Sequence, residues 1–314
     1  MKKAMERRKF LLQSFRTGVS LSLAGAASTE ILRAWSRPGK ETFDIAAVAG
    51  NNYAACTSAA VELLGGMEKF VPRRARVALL PNVQSSHPGT FTNPEVVRAA
   101  IRLCRRAGAA QINLLSWQAM KSWGSTGLAQ VAAEEGAGLR LLGRDETNFR
   151  PVPAPKGKAL AEARLLNAFF EHDVLINMPV TKDHAGNKFT GTMKNLMGLN
   201  SPASNRGFHK ENWKTDPGAI EYLDQCIADL NTVVKPALCV VDATEFIITN
   251  GPFGPGELLK PKKVVAGVDR VAIDSYCASL WGLKAEDIFM IRHGHEHGLG
   301  EMRLAGVKIK ESTV

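Results

Sequence analysis

The chain has 314 residues, 45% of them hydrophobic and 22% charged, and carries a net charge of +10. Residues 1–40 hold nine Lys/Arg against two Glu, so +7 of that charge is theirs and +3 is left for residues 41–314. So small an excess argues against a nucleic-acid-binding face on the folded part. No later apolar run reaches the ~20 residues of a membrane-spanning helix.

At the N-terminus the pair Arg7-Arg8 precedes apolar residues, a mild apolar stretch covers 18–27, and Ala24-Gly25-Ala26 offers a cleavage site. That order predicts a twin-arginine (Tat-type) signal with its linker over 1–40, a single α/β domain over 41–314, and a periplasmic or otherwise exported protein. The export machinery is then its first partner. Strands are predicted at 44–50, 76–81, 111–116, 139–142, 174–178, 237–242, 263–267 and 306–310. Helical periodicity predicts helices at 54–64, 94–108, 126–135, 160–171, from 192 onward, 219–234 and 271–281. Asn93 is placed as an N-cap with Pro94 at the first helical position. Strand–helix alternation with glycine exits predicts a mainly parallel sheet with helices on both faces. The Pro/Lys/Gly-rich segment 148–158 is a candidate joint between two sub-domains.

Cys56, Cys104, Cys226, Cys239 and Cys277 lie in apolar runs and form no Cys-x-x-Cys. This argues against an iron–sulfur cluster held by a local motif and treats the thiols as small hydrophobes.

Three stretches carry candidate chemistry. The first, 181–199, reads TKDHAGNKFTGTMKNLMGL and follows a buried strand. Lys182, His184 and Lys194 bring cations to the carboxyl end of that strand, where α/β sheets bind ligands. Thr190 or Thr192 is expected to cap the helix that follows. Lys194 in its first turn is disfavoured by the helix dipole unless an anion is near. The second is Asp242 at a strand end, followed by the turn Asn250-Gly251-Pro252, whose backbone N–H groups are suited to a ligand. The third is RHGHEHGLGE, in which His293, His295 and His297 are spaced for zinc, copper or nickel. A divalent metal is the one cofactor these residues suggest.

The blocks LPNVQSSHPGTFTNPEVVRAAIRLCRRAGA, HDVLINMPVTKDHAGNKFTGTMKNLMGL, CIADLNTVVKPALCVVDATEFIITNGPFGPG and VVAGVDRVAIDSYCASLWGL occur in this order. Together they resemble the domain-of-unknown-function family numbered 362, over roughly residues 44–300. The resemblance marks Pro179, Lys182, His184, Lys194, Asn195 and Gly198 as its most specific positions, with Asp242 and Asp274 beside them. Lys188 falls outside that pattern and reads as a solvated charge. Two departures stand out. Leu80 occupies a position where relatives often have lysine before Pro-Asn, and the ferredoxin-like cysteine clusters of many relatives are absent. The glycine/lysine loops also resemble those of nickel-dependent lactate racemases. The combined expectation is an enzyme for a small anionic substrate or cofactor. Lys182, Lys194, Asn82, Asn195, Thr192 and Gly251 would hold the ligand. His184 would serve as acid/base or metal ligand, Asp242 would orient it or coordinate a metal, and Lys182 would stand with them as a catalytic residue. The alternative is a non-catalytic protein that holds a metal or redox cofactor for a periplasmic complex partner.

Overall fold

Alternate side chains of each apolar run find a core on each side of the sheet, and this selects strand over helix for runs of four to six residues. The computed structural model describes residues 42–314, so the twin-arginine segment lies outside the described residues. The chain begins with β1 (Ile45–Ala49), α1 (Tyr53–Leu63), β2 (Arg76–Pro81), α2 (Pro94–Arg106), β3 (Gln111–Ser116), α3 (Met120–Ser125), α4 (Leu128–Glu134) and β4 (Gly138–Leu141). A hairpin, β5 (Phe149–Pro153) and β6 (Glu162–Leu166), leads to β7 (Val174–Met178). A second hairpin, β8 (Lys182–His184) and β9 (Lys188–Thr190), precedes α5 (Thr192–Asn195), α6 (Pro202–Phe208) and α7 (Pro217–Val233). The remainder is β10 (Leu238–Ala243), the short pair β11 (Phe246–Ile247) and β12 (Leu258–Leu259), β13 (Lys263–Gly267), α8 (Arg270–Ser279), α9 (Phe289–Glu296) and β14 (Ile309–Thr313).

Eight strands form the central sheet in the order β14-β1-β13-β10-β7-β2-β3-β4. All neighbours are parallel except around β13, which runs antiparallel to both β1 and β10. The predicted mainly parallel sheet is therefore present. One face packs Val77, Leu79, Ile176 and Val240 against Val97 and Ile101 of α2 and Ala60 of α1. On the other, Cys239, Val241 and Val265 meet Leu223 and Ile227 of α7 and Ile273 of α8. Farther along that second face, Ala78, Leu80 and Leu175 meet Leu165 of the β5–β6 hairpin. Each fully buried Val, Leu or Ile contributes about 1.5–3 kcal/mol.

Helix starts follow the local chemistry. Asn93 caps α2 by accepting from the Glu95 N–H at 2.9 Å, with Pro94 behind it as expected. Asp216 and Asp269 cap α7 and α8 in the same way. The predicted helix over 160–171 is not formed. Its residues 162–166 pair antiparallel with β5, burying Ala163 and Leu165, and residues 167–171 close as a 3-10 turn. The segment ALAEARLLNAFFE has high helical propensity, but Phe149–Pro153 offers a strand partner, and tertiary pairing overrides propensity. Residues 148–158 are accordingly strand and turn. The helix expected over 126–135 begins at Leu128, after a separate short α3, because Gly127 adopts φ = 76° between them. The terminal strand lies at Ile309–Thr313 rather than 306–310, since Leu304–Gly306 form a 3-10 turn.

β2 hands the chain through α2 to β3 on one side. β7 hands it through α7 to β10 on the other, with α2 and α7 on opposite faces. The carboxyl ends of the paired strands β2 and β7, where Pro81 lies beside Met178, therefore diverge into a crevice.

Candidate functional site

The chain leaves β7 still attached to the sheet. The Asp242 N–H donates to the Pro179 carbonyl at 2.8 Å, and the Thr181 N–H to the Asp242 carbonyl at 3.0 Å. Beyond this point β8 and β9 fold back over the crevice, with Gly186 at φ = 79° in their turn. Gly251 clamps the hairpin from outside. Its N–H donates to Asp183 Oδ2 at 2.7 Å, and a Cβ at this position would overlap the Asp183 carbonyl. Gly251 thus supports β8 and is not among the residues that line the cleft.

Lys182 is fully buried at the carboxyl end of β7. Its ammonium donates to the Thr90 carbonyl at 2.7 Å and to Asn82 Oδ1 at 3.3 Å. From Asn82 a run of amides continues. Asn82 Nδ2 donates to Asn195 Oδ1 at 3.1 Å, and Asn195 Nδ2 to Asn177 Oδ1 at 2.8 Å and to the Leu80 carbonyl at 2.9 Å. Asn177 Nδ2 ends the run on the Thr192 carbonyl at 2.8 Å. The structure thereby joins Lys182, Asn82 and Asn195, which sequence reasoning had placed in one site, and adds Asn177, which it had not.

A cleft of about 170 Å³ opens above these amides. Lys194, His184, His209, Thr190, Asn82 and Asn195 contribute its polar lining, and Leu80, Leu115, Trp117 and Met197 much of the apolar lining. Lys194 is 7% exposed. Its only hydrogen-bonding contact among the described residues is the Met197 sulfur at 4.0 Å, a weak acceptor. Burial lowers its pKa to about 8, opposed by the carboxylate of Asp224. Lys182 is lowered to about 7, first by burial and then by the charge of Lys194. The Thr190 hydroxyl is buried in the cleft wall with no partner among the described residues.

Both imidazoles have a fixed tautomer. His184 Nδ1 donates to the Ala185 carbonyl at 2.8 Å, and His209 Nδ1 to the Asn205 carbonyl at 2.7 Å. Carbonyls only accept, so each neutral ring leaves an Nε2 lone pair. Burial and the nearby Lys194 charge lower the His184 pKa well below 6.5 and that of His209 to about 4. Trp213 packs against both rings, with centroids at 5.4 Å from His184 and 4.7 Å from His209.

The start of α5 differs from expectation. Neither Thr190 nor Thr192 caps it; the N-cap position is Gly191, without a side-chain bond. Asp274 of α8 accepts from the Thr192 N–H at 2.6 Å and the Met193 N–H at 3.0 Å. The acceptor at this helix start is the protein's own Asp274 carboxyl, whose pKa burial raises to about 7 against the pull of the two N–H groups. Thr192 is buried and its hydroxyl donates to the Arg270 carbonyl at 3.1 Å, so its contacts are structural. Asp242 does not orient His184. Its oxygens accept from the Thr244 N–H at 2.9 Å, the Thr244 hydroxyl at 2.6 Å and the Asn93 N–H at 2.6 Å, and burial raises its pKa to about 6.

The three C-terminal histidines are not brought together. His293 lies between Glu296 and Glu221, at 3.4 and 3.6 Å. His295 Nδ1 is 2.9 Å from the Gly300 carbonyl, and His297 Nε2 is 2.8 Å from Asp229 Oδ1. His295, two residues from each neighbour, faces another way; His293 and His297 share the i, i+4 face, but Glu221 and Glu296 engage the first and Asp229 the second. Among the described residues no three His, Cys, Asp or Glu side chains converge as a metal site. Lys188 is exposed.

His209, Thr190 as a cleft residue, Asn177 and Asp224 were missed. His209 arrives from the end of α6 with no motif around it; only the fold brings it to His184.

The family described as "Domain of unknown function (DUF362)" matches residues 77–279. The thylakoid-associated protein sll1697 of Synechocystis sp. is 28% identical over 224 residues, a match that takes in 68% of this chain. The chain spans 65% of the length of that curated relative. Among solved structures, the lactate racemase apoprotein of Thermoanaerobacterium thermosaccharolyticum is similar at a TM-score of 0.44 and 15% identity, over 74% of this chain and 55% of its own. A Thermotoga maritima protein is similar at 0.38 and 14%, over 60% and 49%.

Proposed function

Because the chain belongs to the family Domain of unknown function (DUF362), whose description names no reaction, we propose its function from the site itself: an enzyme that holds a small organic anion on Lys194 and moves a proton through His184. The observation that carries this reading is a buried ammonium in an open cleft that no oxygen hydrogen-bonds among the described residues, the buried Asp224 carboxylate acting on it only through space. A charge held in that way is costly unless an anion completes it. The Thr190 hydroxyl adds a donor without a partner at the same wall. His184 is neutral at pH 7 with an Nε2 lone pair, and an anion bound at Lys194 would screen one of the charges that weakens it as a base. Lys182 acts from below, holding Asn82 and the loop carbonyl of Thr90 in place.

Two measurements test this. Titration calorimetry with small carboxylates should give binding in the wild-type protein that is lost in Lys194→Met. Incubation of a bound carboxylate in D2O should then give exchange at its C–H bond by NMR, abolished in His184→Gln. Binding without exchange would favour the second reading, a non-catalytic holder of a cofactor for a partner, which draws on the two neutral imidazoles. Binding insensitive to Lys194→Met would remove both.

Export by the twin-arginine route belongs to the proposal and rests on Arg7-Arg8 and the apolar stretch behind them. Fractionation of cells expressing the wild type and the double variant Arg7→Lys/Arg8→Lys tests it; equal retention of both in the cytoplasm would refute it.

A further inference from the structure

The cleft does not end at the imidazoles. Trp117, Asn205 and His209 line it and also line a second, shallower depression, whose other walls are Arg144, Arg206, Pro202 and Trp213. The path runs from the divergence of β2 and β7, across the carboxyl end of β3 at Trp117, toward the segment after β4 that carries Arg144. No Asp or Glu lines either cavity among the described residues. The inner cleft holds Lys194, and two arginines, Arg144 and Arg206, line the outer depression, so cationic residues stand at both ends.

Between the ends the surface is apolar and aromatic. Met197, Leu115 and Trp117 line the inner side, and Pro202 and Trp213 the outer. The Arg144 guanidinium lies over the Trp117 ring, 5.4 Å from its centroid, and reaches Gln118 Oε1 at 3.5 Å. Gln118 lines the inner cleft, so Arg144 ties cleft and depression together. The indole N–H of Trp117, at their junction, is buried without an acceptor among the described residues. A guanidinium stacked on an indole keeps its edge donors for a planar or tetrahedral oxyanion.

The geometry points to an elongated dianion as the ligand. One anionic head meets Lys194 and Thr190, an apolar or aromatic middle passes the Trp117 wall, and a second anionic group, a phosphate by preference, lies between Arg144 and Arg206. This rests on the reading of Lys194 as an anion holder and extends it to substrate class. It also assigns a role to a cationic outer rim that a small carboxylate would never touch.

The test uses the full chain and three probes at constant ionic strength: benzoate, terephthalate and 4-carboxyphenyl phosphate. Calorimetry gives each dissociation constant for the wild type, for Lys194→Met and for the double variant Arg144→Ala/Arg206→Ala. Two guanidinium contacts at an exposed rim should make 4-carboxyphenyl phosphate bind about tenfold more tightly than benzoate in the wild type. That ratio should fall to about one in the double arginine variant, with terephthalate between the extremes in the wild type. A wild-type ratio near one, or a ratio that persists in the double variant, overturns the dianion. Benzoate binding that survives Lys194→Met instead overturns the inner reading, and the two failures are read from different columns of the same experiment. Absence of measurable binding by 4-carboxyphenyl phosphate at millimolar concentration overturns the proposal as well.

Discussion

Replacing Lys194 by methionine should make the empty protein more stable, and the gain should depend on pH in a way that identifies its cause. Methionine keeps the length of the side chain and the contact with Met197 while removing the buried charge. Lys194 has a pKa of about 8 in the fold against 10.5 when free. Between those values the unfolded chain binds the extra proton, so stability rises with pH through this window, and the full penalty is present below about 8. The difference corresponds to about 3 kcal/mol at pH 7.5 and about 1 kcal/mol at pH 9.5. Loss of Lys194 also deprives the buried Asp224 of its positive neighbour, which offsets some of the gain. The diagnostic is therefore the trend: the advantage of the variant should shrink by about 2 kcal/mol from pH 7.5 to 9.5. Lys182 titrates over an overlapping range and is itself held down by the charge of Lys194, so the variant also relieves Lys182, which adds to the gain on the low-pH side. Urea unfolding at the two pH values, extrapolated linearly, measures it. A variant less stable than wild type at pH 7.5, or one whose advantage is the same at both pH values, would refute the view that burial of the Lys194 charge costs more than Asp224 returns.

Three further outcomes follow from the same geometry. Anion affinity should fall by up to tenfold per pH unit above about 8, as the free protein loses the Lys194 proton; a main step near 7 would mean that Lys182 carries the binding charge instead, and one near 4 that His209 does. Asp274→Asn should cost about 2 kcal/mol, because one of the two N–H groups at the start of α5 loses its acceptor. Calorimetry should show the melting temperature lower by about 3–4 °C, and an unchanged value would assign the positioning of α5 elsewhere. Gly251→Ala should destabilise by more than about 2 kcal/mol, since its Cβ would meet the Asp183 carbonyl and dislodge β8. Unaltered denaturation and unaltered anion binding in this variant would deny the loop its clamping role.

The strands were legible because buried parallel strands are short, apolar and bounded by turn residues. The readings at 76–81, 111–116, 174–178 and 263–267 coincide with β2, β3, β7 and β13. The failure at 160–171 has a physical origin. Nothing local in ALAEARLLNAFFE tells that Phe149–Pro153 will pair with it. In the site, Lys182, His184, Lys194 and Asn195 were legible because one short segment carries them all. The cap on α5 was not, since it comes from Asp274, 82 residues from Thr192. His209 was equally hidden, because its relation to His184 exists only after α6 has folded against the hairpin. RHGHEHGLGE misled for the opposite reason: its spacing is suggestive in one dimension, but the helix sends each ring to a separate carboxylate or carbonyl.

The run of amides beneath the cleft has a direction. At its head Lys182, when protonated, can only donate, and Asn82 turns its oxygen toward it. At its foot the carbonyls of Leu80 and Thr192 can only accept, so Asn195 and Asn177 must turn their nitrogens toward them. Each amide passes the same polarity to the next, and aligned hydrogen bonds of this kind reinforce one another. Aspartate, though nearly the same shape, cannot replace any of the three, because a carboxylate receives but has nothing to hand on. The floor of the cleft is in this sense a one-way fixture, polarised from the loop above into the sheet below.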